Sequence, residues 1–133
     1  MENLAQIESR ENAVNAATQK GNVVISGSML AVGEYTLEII EESKAFSVRE
    51  VEIRRGANAG KKLSLFLACG EIKHADSGKI ADKGSKTVAV DADLWKQMRS
   101  GVIYSFDVES YEIDGDNGEK ISRRRSTNWR KTS

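Results

Sequence analysis

Arg54-Arg55-Gly56-Ala57-Asn58-Ala59-Gly60-Lys61-Lys62-Leu63-Ser64-Leu65-Phe66-Leu67-Ala68-Cys69 is a basic turn followed by the clearest strand of the chain. Leu63, Leu65 and Leu67 alternate with Ser64 and Phe66, the period of two that sets side chains on opposite faces of a strand. The three leucines are expected on the core face and Phe66 on the exposed one. Ahead of the turn, Phe46 and Val48 share one parity while Val51 and Ile53 take the other. A bulge near Arg49-Glu50 is expected to reconcile them.

Working outward, Val23 to Val32 and Tyr35 to Ile40 read as two strands, or as one long strand broken at Gly33. Residues 2–20 place Leu4, Ile7, Val14 and Ala17 at nearly helical intervals, on a stripe thin enough for a weak helix or an arm. Residues 73–86 read as a polar loop and Thr87-Val88-Ala89-Val90 as a short strand. Asp91 caps a brief helix through Leu94, Trp95 and Met98 that stops at Gly101. Val102, Tyr104, Phe106 and Val108 alternate as a strand, and the parity change at Tyr111 and Ile113 predicts a second bulge near Glu109-Ser110. Asp114 to Gly118 is a hairpin turn by composition.

Such strands, bent and adjacent in sequence, predict a mainly β domain. The expected form is a small curved antiparallel barrel of OB-like kind, with one short helix and flexible termini. Residues 1–21 are expected to be the arm or helix, 22–122 the barrel, and 123–133 a basic tail, flexible from Ser126 onward.

The 133 residues suit one domain, and 39% hydrophobic with 30% charged residues is globular composition. No apolar run approaches the roughly 20 residues that span a bilayer. The start Met1-Glu2-Asn3-Leu4-Ala5-Gln6 lacks signal-peptide character, and Cys69 is the one cysteine. The expected location is cytoplasmic.

Catalysis is not expected. His74 is the one histidine, in a segment with Asp76 and Ser77 that does not offer triad geometry. One cysteine and one histidine make poor metal ligation, and Asp114 to Glu119 lacks the full calcium-loop spacing. Neither cofactor nor metal is expected.

The net charge of zero conceals four blocks. Residues 1–43 and 87–118 each carry a net −5, and residues 44–86 and 119–133 each carry +5. Two basic blocks on one surface would meet a polyanion, and basic side chains beside aromatics are what single-stranded nucleic acid requires. The candidate residues are Arg49, Arg54, Arg55, Lys61 and Lys62 around the turn, with Phe66 and Tyr111 as stacking platforms. The tail adds Arg123, Arg124, Arg125 and Trp129, able to contact nucleic acid or another subunit. The alternative is a protein–protein module, a structural subunit or small inhibitor that ignores nucleic acid.

Gly60-Lys61-Lys62-Leu63-Ser64-Leu65 after Arg54-Arg55-Gly56 resembles the DNA-binding wing of the filamentous-phage single-stranded DNA-binding (gene V-type) proteins. Gly101-Val102-Ile103-Tyr104 and Ser110-Tyr111-Glu112-Ile113 are similar to that family's late strand. The resemblance implies an OB-like barrel, a homodimer and coating of single-stranded DNA during replication. Arg54 or Arg55, Lys61 and Tyr111 would then carry binding roles. Leu63 stands where the family has a stacking tyrosine, and the second wing arginine has no counterpart in Ala57-Asn58-Ala59.

Overall fold

The computed structural model describes residues 4–54, 58–81, 87–115 and 117–132. In chain order these form α1 (Leu4–Gln19), β1 (Val23–Val24), β2 (Gly33–Glu38), α2 (Glu42–Ala45), β3 (Phe46–Glu52) and β4 (Lys62–Cys69). There follow β5 (Glu71–His74), β6 (Thr87–Ala89), α3 (Ala92–Trp95), β7 (Ile103–Asp114) and β8 (Lys120–Lys131). The protein is mainly β, as its alternating strands predict.

Among the described residues the strands form two four-stranded sheets. In the first, β4 is central, with antiparallel β3 on one side and β1 and β6 sharing the other. The second has the order β5-β2-β7-β8 and is antiparallel throughout. The sheets do not close into the expected barrel. After β1 the chain leaves the first sheet, and β2 pairs between β5 and β7 in the second.

Both expected bulges are corrected. β3 pairs with β4 without a register shift from Phe46↔Ala68 to Glu52↔Lys62. The parity change is absorbed because both faces of this hairpin carry apolar side chains. In β7–β8 the irregularity falls between Ser105 and Asp107, not at Glu109-Ser110.

Three helices lie among the described residues: α1 takes the helical alternative expected for the N-terminal segment, α3 is the expected short helix, and α2 is an addition. α1 turns Arg10, Val14 and Ala17 inward, at the i, i+4, i+7 spacing of one helical face. In α3 the Asp91 carboxylate accepts a hydrogen bond from the Leu94 N–H at 3.4 Å, the expected cap.

The core lies between the sheets and the helices. Trp95, Tyr35, Phe66, Phe106, Leu37 and Ile39 are fully buried there. Trp95 packs on Phe66 at 4.8 Å between ring centroids and meets Phe46 edge-on at 6.2 Å. Its indole N–H donates to the Leu67 carbonyl at 3.0 Å. From α1, Arg10 donates to the Trp95 carbonyl at 2.6 Å and lies 3.8 Å over the Phe46 ring.

Phe66 is therefore a core residue with no exposed surface, not a stacking platform. The alternation of β4 is as expected, but it is the Phe66 face that meets the aromatic core. Ser64, Phe66 and Ala68 are buried there; on the other face Leu63 is buried as expected, while Leu65 and Leu67 are only half-buried.

The tail is likewise corrected. Residues 123–131 belong to β8, paired with β7 from Asp114↔Lys120 to Tyr104↔Lys131. Ser126 is 1% exposed and donates to the Ala89 carbonyl, tying β8 to β6. The polar loop expected over 73–86 begins later than residue 73. Glu71–His74 is a strand, with Tyr35 opposite His74.

Candidate nucleic-acid interface

The leucine face of β4 forms one wall of a cleft of about 1320 Å³. Register places Val23 and Val51 beside Leu63, so adjacent strands extend this apolar wall across the sheet. Ile53, just beyond β3, continues it. The facing wall is the distal half of the β7–β8 hairpin, with Tyr111, Ile113, Ile121, Arg123 and Arg124.

A strap between β1 and β2 bounds the cleft and contributes Ile25 to Met29. Ser26 Oγ donates to the Ser126 carbonyl at 2.7 Å, fixing the strap to β8. The long hairpin thus crosses the first sheet near Ala89 and Ser126, and its free end stands over the leucine face.

The polar side chains of the lining are unevenly satisfied. Asp114 is paired with Lys120 on the adjacent strand. Arg54, Arg123 and Arg124 are exposed, and none has a carboxylate within ion-pair distance among the described residues. Glu52 and Glu112 also line the cleft, so the three guanidiniums outnumber the acids left unbridged. A charged rim above an apolar wall suits a ligand with an anionic backbone and flat apolar groups.

Of the residues singled out in the sequence, Arg54, Tyr111, Arg123 and Arg124 come together at this cleft. Arg49, Lys61 and Lys62 are exposed on the β3–β4 hairpin but outside the lining, and Lys62 lies 3.7 Å from Glu50. Arg55 falls outside the described residues. Arg125 is 3.8 Å from Glu109 and 5.1 Å from the centre of the Tyr111 ring. Trp129 is half-buried and stacked on Phe106, away from the cleft. It is structural, because strand pairing and the Phe106 ring hold it where a mobile tail was expected.

Leu63, Leu65, Val51, Ile53 and Met29 also line the cleft, and nothing in the sequence marks them as site residues. The leucine alternation was visible, but an apolar stripe signals burial and does not say whether protein or ligand covers it. Among the described residues no group of three or more His, Cys, Asp or Glu side chains could hold a metal ion. No helix among them is long and apolar enough to cross a membrane.

No protein-family model, curated protein or solved structure matches this chain.

Proposed function

We propose that the protein binds single-stranded nucleic acid, with DNA favoured, in the cleft between the leucine face of β4 and the β7–β8 hairpin. One observation carries the reading. Arg54, Arg123 and Arg124 converge on an apolar cleft from opposite walls, without carboxylate partners among the described residues. Phosphates would meet the guanidiniums, and bases would lie against Tyr111 and the Leu63–Leu65 wall.

In this reading the first sheet and the hairpin over it act as a partly open, OB-like surface. The role is non-enzymatic, coating a genome during replication in the cytoplasm, as a homo-oligomer with a dimer favoured.

Fluorescence polarisation with a labelled mixed-sequence oligodeoxynucleotide tests the reading, at low and at moderate salt. Saturable, salt-sensitive binding that weakens in Arg123→Ala and Arg124→Ala is the expected result. Absence of binding at low salt and micromolar protein would sink it. Stoichiometric recovery of one protein partner would then favour the interaction-module alternative.

A further inference from the structure

We propose that Met29 is the apolar contact that packs against a base of the bound single strand, completing the cleft from its strap side. The inference rests on the nucleic-acid reading above and adds a residue that the sequence had placed in a strand.

Met29 is 86% exposed, the most exposed large hydrophobic side chain among the described residues. It nevertheless sits on a fixed piece of backbone. On one side Ser26 Oγ holds the β8 carbonyl of Ser126 at 2.7 Å. On the other, Leu30 is 4% exposed and its N–H donates to Ser28 Oγ at 3.0 Å. The Tyr35 hydroxyl then donates to the Ala31 carbonyl at 2.7 Å. Anchors on both sides leave Met29 projecting at the edge of the cleft it lines.

An exposed thioether at this place has no role in the packing of the free protein. Its chemistry fits a base. Methionine is unbranched and polarisable, so it adapts to flat rings of differing outline without a fixed hydrogen-bond pattern. Apolar side chains of this kind are among those that pack against or between bases. The rim of the same cleft supplies the complementary charge, because Arg124 lines it together with Met29. Phosphate contacts from Arg124 and a base contact from Met29 are thus offered to neighbouring parts of one strand.

The two kinds of contact have different signatures. Met29→Ala should weaken binding of a mixed-sequence oligodeoxynucleotide by about tenfold, from the lost apolar burial. The weakening should be the same at every salt concentration, because no phosphate contact is removed. Met29→Leu should restore most of the affinity. Thermal unfolding of Met29→Ala should match that of the parent, since the side chain is solvated in the free protein. Parent-like affinity in Met29→Ala, alongside a weakened Arg124→Ala, overturns the inference and leaves the nucleic-acid reading standing. Failure of the parent protein itself to bind the oligonucleotide overturns both.

Discussion

Trp129 stacks on Phe106, with ring centroids 4.2 Å apart and planes 15° from parallel. The contact depends on the register shift in β7–β8. Ser105 pairs with Arg130 and Asp107 with Thr127, so Asn128 and Trp129 together oppose Phe106. Asn128 takes φ 54°, a left-handed conformation that asparagine tolerates better than most residues. Its side-chain amide also donates to Asp107 at 2.9 Å. The bulge converts a polar strand end into a lid on the core.

Trp129→Ala should therefore destabilise the fold by about 3 kcal/mol, by analogy with large-to-small substitutions at packed sites. Trp129→Phe should cost much less, because it keeps a ring against Phe106. It also removes an indole N–H that is buried without a hydrogen-bond partner among the described residues. Urea denaturation of the two variants checks the order. Deletion of residues 126–133 should unfold the protein rather than release a harmless tail.

Gly70 links β4 to β5, and there a side chain has no room. A Cβ built on Gly70 would lie 2.2 Å from the backbone carbonyl oxygen of Glu38. Backbone cannot step aside as a flexible side chain does. Gly70→Ala should lower stability by about 1–3 kcal/mol, the range for overpacking. An unchanged denaturation midpoint would show that β2 and the β4–β5 connection can separate without cost.

Salt dependence offers a quantitative check on the cleft rim. If Arg54, Arg123 and Arg124 each neutralise one phosphate, they contribute a slope of about −2 to log affinity against log salt. Replacing all three by alanine should flatten the slope by that amount. Replacing Arg49 and Lys61, which lie outside the cleft, should change it much less. The reverse ranking would move the phosphate track to the β3–β4 hairpin.

Acid should weaken the contact between α2 and the segment after α3. The backbone N–H of Ser100 hydrogen-bonds the Glu42 carboxylate at 3.0 Å, and the Ser100 hydroxyl does so at 2.8 Å. The backbone hydrogen bond is the largest influence holding the Glu42 carboxyl below its ordinary value of 4.5. A carboxyl depressed in the folded state contributes stability above its unfolded value, and that contribution is lost as pH falls through the folded one. Stability should thus decline below about pH 4.5, and Glu42→Gln should be less stable at neutral pH with a shallower acid decline. Thermal melts from pH 3 to 7 give the comparison.

The β character of the chain, the alternation within β4 and β7, the Asp91 cap and the hairpin turn after Asp114 are legible in the residues alone. These are matters of local period and backbone preference, so neighbours along the chain suffice to specify them. The charge blocks also point to Arg54, Arg123 and Arg124, and the parity change in β7 to Tyr111, although nothing local shows that they share a cleft. Tertiary structure alone decided which face of β4 is the core. Both faces are apolar, and Phe66 is buried because Trp95 and the rest of the aromatic cluster cover its side. The leucine face is left to the cleft because the β7–β8 hairpin crosses it only near Ser126. Trp129 follows the same logic. A strand with few apolar residues reads as a tail until a bulge and a distant Phe106 give its one indole a place to pack.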